Sequence, residues 1–323
     1  MNRVCEILGI EKPIIQGPMA WISTAPLVAA ASNAGGMGVL GVAFAPEGFI
    51  RGQVEETKKL TDKPFGMNVD MYLGDLEMST RVIRDLHPPV VYADTYINLC
   101  EKKDLCIKYF KIWHELGSKI IVKASTVADA VTAEETGADI VFLKGWEGGG
   151  HVSYESTMVL VPQAADKLSI PVVASGGIAD GRGMAAAIAL GAEAVEMGTV
   201  FMAASDAPVH PNVKEAVLNC GDMDTVVTGT CTGEPCRQIR NKLSDELLKI
   251  EADNPRSVSG PEVQKISQSS LRKAMAEGDM ENGAVMAGQI AALVKKPRTV
   301  AQIIDETLAE AREVLAKMPS AEL

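Results

Sequence analysis

IPVVASGGIADGRGMAAAIALGAEAVEMGT, residues 170–199, contains two short apolar runs that end in glycine. VVASGG (172–177) and AVEMGT (194–199) are near-continuous rather than alternating, as expected of parallel strands buried on both faces. Between them GRGMAAAIALGAE (181–193) is nearly all small and apolar, which suits a crossover helix packed on such a sheet. Moving outward, the same kind of run recurs as IIQGPM (14–19), GVLGV (38–42), FGMNVD (65–70), VVYAD (90–94), KIIVKAS (119–125) and IVFLKG (140–145). Helical stretches separate them: TAPLVAAASNAGG (24–36) ends in glycines, and STVADAVTAEETGAD (125–139) opens on a Ser/Thr cap. Eight strand–helix alternations predict an α/β chain folded as a (β/α)8 TIM barrel. A doubly wound open sheet is the alternative, disfavoured because no GxGxxG follows the first run.

The pattern breaks after the eighth run. Residues 205–280 carry Pro208, Pro211, Pro235, Pro255 and Pro261 among mixed polar helices, too irregular to extend a barrel. GDMENGAVMAGQIAALVKK (278–296) then leads through a glycine-rich turn into an apolar helix, and 298–317 reads as an amphipathic closing helix. The predicted division is a barrel over 1–204, an inserted helical cap over 205–280, and a C-terminal segment over 281–323 that returns to the barrel.

Composition bounds the function. Hydrophobic residues make up 47% of the 323, with aromatics only 4%, so small aliphatics and 15 methionines must fill the core. A net charge of −11 argues against a nucleic-acid footprint, which needs a basic stripe. No apolar run approaches the ~20 residues needed to span a bilayer. MNRVCEILGIEKPIIQ (1–16) has acidic residues within its apolar stretch and no small-residue cleavage site, unlike a signal peptide. The cysteines Cys5, Cys100, Cys106, Cys220, Cys231 and Cys236 form no CxxC pair, so no metal site is expected and reduced thiols are the default. The chain reads as a cytoplasmic protein.

In a barrel of this kind chemistry sits on the loops that follow the strands. Those ends read Gly17-Pro18-Met19-Ala20-Trp21, Asn68, Asp94, Lys123, Lys144 through His151, Ser175-Gly176-Gly177 and Gly198-Thr199. SGGIADGRG and EMGT, with Glu196 and Met197, occupy the usual barrel phosphate site, where backbone N–H groups and a helix N-terminus hold an anion. Neither has the lysine of a P-loop, so the ligand reads as a cofactor phosphate rather than a nucleoside triphosphate. Asn68 is either a strand-end residue satisfying its own backbone or an amide presented to a planar ring, donating and accepting together.

IIQGPMAW (14–21), DKPFGMNV (62–69), EGGGHVS (147–153), IPVVASGGIADGRG (170–183), EAVEMGT (193–199), HPNVKEAVL (210–218) and VMAGQIAALV (285–294) extend in order over nearly the whole chain. Together they resemble two related groups of flavoproteins, the FMN-dependent type II enoyl-acyl-carrier-protein reductases and the nitronate monooxygenases, formerly 2-nitropropane dioxygenases. HPNVKE and VMAGQIA are more similar to the reductase. Both groups are FMN-binding TIM barrels. The resemblance implies FMN contacts from Gly17, Pro18, Met19, Asn68, Lys144, Gly149 and Gly150. It implies a phosphate on Ser175, Gly176, Gly177, Gly198 and Thr199, beside Glu196 and Met197, with Met286 and Gln289 approaching from the returning segment. His151 matches the histidine that both groups place beside the flavin. Three glycines would let the chain approach the ring, and an imidazole of ordinary pKa, ~6.5, gives or takes a proton at cellular pH. His87, His114 and His210 read as structural.

There are departures. Tyr92-Ala93-Asp94-Thr95 stands where the reductase type has a glycine-rich turn, Lys123 where it is apolar, and Lys144 where the relatives place Glu or Gln. Either a cation near N1 and O2 of the ring stabilises the reduced flavin, or lysine and aspartate form an ion pair that offsets its own desolvation. The reductase resemblance implies NAD(P)H as electron donor and an enoyl thioester, on acyl carrier protein or CoA, as acceptor of a hydride from flavin N5. Arg237, Arg240, Lys242 and Lys249, read as one helical stretch, are either a docking patch for an acidic carrier protein or a solvated helix face. A homodimer is a further expectation. The alternative activity is oxidation of small alkyl nitronates with O2. A non-enzymatic flavin scaffold would leave the glycine-delivered histidine without a purpose.

Overall fold

Eight of these runs form a closed parallel barrel in the computed structural model of the chain, which describes residues 2–95 and 98–318. Strands β1 (Ile14–Gln16), β2 (Met37–Leu40), β3 (Gly66–Asp70), β4 (Val90–Asp94), β5 (Lys119–Ala124) and β6 (Ile140–Lys144) follow in order. A two-residue strand β7 (Gly150–His151) lies outside the barrel, which β8 (Val172–Ser175) and β9 (Ala194–Met197) complete. β9 closes on β1, with Ile14 opposite Val195 and Gln16 opposite Met197.

Successive strand side chains point to opposite faces, so one set fills the barrel and the other meets the helices. Ile15, Val39, Tyr92, Ile121, Phe142 and Val173 share one buried interior cluster. The Tyr92 and Phe142 rings meet edge to face, 5.3 Å apart at 87°, a geometry worth ~0.5–1.5 kcal/mol beyond the burial itself. The N-terminal helix Arg3–Leu8 adds Val4 and Leu8 to the same cluster.

Helices Ala25–Asn33, Glu47–Leu60, Leu76–Leu86, Lys103–Glu115, Val127–Glu135, Thr157–Ala165 and Gly181–Ala189 alternate with the barrel strands. Several begin where a side chain captures a free N–H: Asp75 accepts from Met78, Thr126 from Asp129, and Asp180 from Arg182 and Gly183. The helix Val300–Lys317, started by a Thr299–Gln302 capping box, packs against Gly181–Ala189 and Ala25–Asn33. It therefore takes the place of the eighth barrel helix, and everything from 205 to 299 is inserted between the last strand and that helix. Residues 319–323, part of the expected C-terminal segment, lie outside the described residues.

The insertion contains the helices Pro211–Leu218, Lys242–Asp253, Arg256–Ser267 and Ser270–Glu277. Besides the helices expected there, it carries two strands, β10 (Thr225–Thr228) and β11 (Cys236–Ile239). β11 runs antiparallel to both β10 and β7, setting Cys236 opposite His151. Leu243, Leu247, Val263 and Ala284 form a small separate core beneath it.

The four basic residues do not share a helix. Arg237 lies in β11, 3% exposed, its guanidinium 5.0 Å from the Trp146 ring centre and donating to Trp146 O and Thr225 Oγ1. A planar cation on an indole face, held by two hydrogen bonds, is a structural brace and not a docking charge. Arg240 pairs with Asp245 at 2.8 Å, and Lys242 lies 3.8 Å from Glu281. Among the described residues no helix is long and apolar enough to cross a membrane.

Candidate active site

The alternation that fills the barrel continues to its C-terminal rim. Asp94 follows Tyr92 by two residues, Lys123 follows Ile121, Lys144 follows Phe142, Ser175 follows Val173 and Glu196 follows Ala194. Five polar side chains therefore crown the apolar interior. Asp94 and Lys123 are register partners on β4 and β5 and form a close ion pair. Their side chains are 13% and 8% exposed. For Lys123 the structure thus provides the ion pair. Tyr92 donates its phenol hydrogen to Glu196 at 2.9 Å, and the Ser175 hydroxyl binds the other carboxylate oxygen. Burial pushes the Glu196 carboxyl above its usual range.

Lys144 differs from Lys123. Its ammonium donates to the carbonyl of Gly149 at 2.7 Å. Burial, aided by the nearby positive charge of Lys123, pulls its pKa down to about 8.

Gly176 and Gly177 leave β8 with φ of +87° and +78°, a turn that favours glycine. A side chain on Gly176 would stand 3.0 Å from the carbonyl oxygen of Gly145. The turn faces Gly198 and Thr199 across a cavity of about 100 Å3. Two expectations change here. The Ser175 hydroxyl is engaged by Glu196, so its side chain is not free to serve an anion. The N-terminus of helix Gly181–Ala189 is also occupied: Arg182 and Gly183 donate to Asp180, and Gly181 donates to Glu310 at 2.8 Å. At this end the glycine turns remain as the candidate holders of an anion.

The histidine loop is held at both ends. Glu147 accepts hydrogen bonds from the Thr157 N–H and hydroxyl, while its own carbonyl accepts from the Gln289 N–H at 2.9 Å. A Cβ on Gly149 would stand 2.6 Å from the backbone carbon of Ala287, so the loop lies directly on the returning segment. β11 then pins His151 through the β7 ladder. Burial, followed by the fields of Lys123 and Lys144, lowers the His151 pKa to about 4 although Asp94 opposes the shift. The imidazole is therefore neutral at cellular pH, not poised near its ordinary value. Burial also pushes the Cys236 thiol up to about 12.

Gly17, Pro18, Met19, Lys123, Lys144, Gly149, Ser175, Gly176, Gly177, Glu196, Met197, Gly198, Thr199 and Met286 line the smaller cavity. Asn68, Gly150 and His151 line an adjoining one of about 230 Å3, which shares Met19, Lys144, Gly149 and Met286 with the first. Past His151, Cys236, Leu271 and Met286 a third cavity of about 720 Å3 opens within the insertion. A glycine cradle beside a recess with a charged floor fits a planar heterocycle carrying one phosphate tail. Asn68 Oδ1 accepts from the N–H groups of Val42 and Ala43, at 2.7 and 2.9 Å, so its carbonyl is occupied and only its NH2 remains to donate into the cavity.

Gln289 is exposed and lines none of these cavities; its neighbours Gly288 and Ile290 do. Sequence reasoning missed the side chains of Tyr92, Glu147, Cys236 and Leu271. Glu147 stood within the EGGGH motif and Tyr92 two residues before Asp94. Cys236 and Leu271 arrive from the insertion, where no local pattern marks them. Of the other histidines, His87 ends a helix at φ +44°, His114 lies 2.8 Å from Asp139, and His210 caps Pro211–Leu218.

Comparison with known proteins places these features in a family setting. The model of the nitronate monooxygenase family matches residues 1–94 and 106–310. A probable nitronate monooxygenase of Staphylococcus aureus is 34% identical, covering 89% of this chain and 91% of its own. The structure of FabK from Thermotoga maritima superposes with a TM-score of 0.92 at 39% identity, over 99% of each chain. A nitroalkane oxidase from Streptomyces ansochromogenes shares the fold, with a TM-score of 0.82 at 24% identity over 98% of this chain and 99% of its own.

Proposed function

The chain belongs to the nitronate monooxygenase family and is a flavin-dependent oxidoreductase, and on that premise we propose that it binds FMN and reduces the C=C bond of an enoyl thioester at the expense of NAD(P)H. The observation that carries this reading is the 720 Å3 cavity that opens behind His151. A small alkyl nitronate needs little room beside the flavin, whereas a thioester needs space well beyond the reacting carbons, which this cavity offers.

The chemistry that FMN would supply when bound is a hydride for the β-carbon of the enoyl group. The backbone at Gly176, Gly177, Gly198 and Thr199 would hold its phosphate, and the Asn68 NH2 would donate to its ring. Neutral His151 donates an N–H to the thioester carbonyl and draws electron density from the double bond. Lys144 delivers the proton required at Cα, because its ammonium is acidic enough to give one near pH 8. The Lys123–Asp94 ion pair would face the cofactor from the cavity wall, its two charges offsetting one another.

A second reading, oxidation of alkyl nitronates with O2, is supported by the family model and by the Staphylococcus aureus relative. Anaerobic mixing separates the two. On the reductase reading NADH or NADPH bleaches the flavin and crotonyl-CoA restores its colour faster than oxygen does. Bleaching by an alkyl nitronate, with none by either pyridine nucleotide, would establish the second reading instead.

A further inference from the structure

The large cavity contains a polar group that this chemistry does not use. Gln238, in β11, is 1% exposed and lines the cavity together with Thr228. Its Nε2 donates to Thr228 Oγ1 at 2.9 Å. Its Oε1 is buried without a hydrogen-bond partner among the described residues. Buried acceptors are nearly always satisfied, so one left unpaired in a residue that lines a cavity calls for a donor from outside the chain.

The strand gives this acceptor a position relative to the chemistry. Cys236 stands opposite His151 in the ladder. Cys236 and Gln238 are two apart on one strand and both line the cavity, whereas Arg237 between them turns the other way onto Trp146. Gln238 is thus displaced from the histidine by one same-face step, roughly 7 Å along the strand.

We propose that Gln238 Oε1, with Thr228 behind it, receives an amide N–H from the pantetheine arm of the thioester substrate, so that the arm leaves the flavin recess through the large cavity. The inference rests on the enoyl thioester reading. Pantetheine carries secondary amides, the nearer only a few bonds from the acyl carbon, a reach comparable with that step. An alkyl chain in the same place would leave the acceptor unsatisfied. The wall suits the arm: Thr228, Gln238, Gln264 and Ser270 line it together with Leu247 and Leu271.

The test compares crotonyl-CoA with S-ethyl thiocrotonate, which has no amide, in the holoenzyme and in Gln238→Leu and Gln238→Met. Both variants should lower kcat/KM for crotonyl-CoA relative to the ethyl thioester by roughly three- to tenfold, the size of one neutral hydrogen bond. The change should appear in KM. Calorimetric titration with CoA alone should show weaker binding by the same factor. An unchanged ratio in both variants, with the wild type reducing both thioesters, overturns this assignment and leaves the enoyl reading standing. Failure of the wild type to reduce either thioester overturns both.

Discussion

At the scale of single residues, the proposed reaction divides between His151 and Lys144 work that one histidine was expected to do. The imidazole titrates at about 4 and the ammonium at about 8, so near neutrality the lysine holds the mobile proton. A general acid acts in its protonated form. Turnover should therefore be flat below Lys144's pKa and fall as pH rises through about 8. Lys144→Met should remove that limb and slow flavin reoxidation by the thioester roughly 10²–10⁴-fold, with flavin reduction by NAD(P)H far less affected. A retained alkaline limb in the variant would assign the proton to another group. His151→Ala should likewise spare flavin reduction and cost roughly 10²–10³ in the second half-reaction, the range for a lost polarising donor. Rapid mixing of each half-reaction alone provides the readout, and equal small losses in both halves would make His151 a packing residue. Neither division of labour was legible in the sequence, because both shifts come from burial and neighbours that only the closed barrel supplies.

At the scale of elements, the histidine loop depends on contacts far away in the chain. Gly149 lies against Ala287 and Gly288, and His151 is paired with Cys236. Gly149→Ala would force a Cβ to within 2.6 Å of backbone that cannot yield locally. Overpacking of this kind costs ~1–3 kcal/mol, and a displacement near 1 Å at the reacting group can cost ~10²-fold in rate. The variant should lose turnover out of proportion to its fall in Tm; an active protein with only a lowered Tm would show that the loop tolerates the shift. The barrel strands were legible because strands buried on both faces must be written as continuous apolar runs, as VVASGG and KIIVKAS are. Their ends were overestimated where glycines such as Gly176 turn out of the ladder. β7, β10 and β11 left no such mark: they are short, and β11 meets β7 across more than eighty residues of chain. Arg237 was misplaced on a helix for the same reason.

At the scale of the whole molecule, the buried charges tie stability to pH. The chain carries a net charge of −11, and several surface carboxylates, among them Glu47, Asp180 and Asp279, are held below their usual range by hydrogen bonds and ion pairs. Their stabilisation is present above the ordinary carboxylate pKa and is lost as pH falls through the lowered folded values. Glu196 runs the other way, since its folded pKa is raised and its contribution fades as pH rises through that value. Lys144, lowered to about 8, gives a stability that grows as pH rises from there towards its ordinary value. His151 can be isolated from these groups. Between about 4 and the ordinary ~6.5 the unfolded chain binds a proton on this residue that the folded chain refuses. Stability must then fall as pH is lowered through that window, by on the order of 1–3 kcal/mol from this group alone. His151→Gln removes the titration and leaves the carboxylates in place, so their contributions cancel in the difference between variant and wild type. Urea unfolding of both proteins across pH 4 to 8 should give a constant difference above about 6.5 and a relative loss for the wild type below it. Two parallel curves would mean that the imidazole titrates alike in both states, and that the recess around it is wetter than its burial opposite Cys236 and near the two lysines implies.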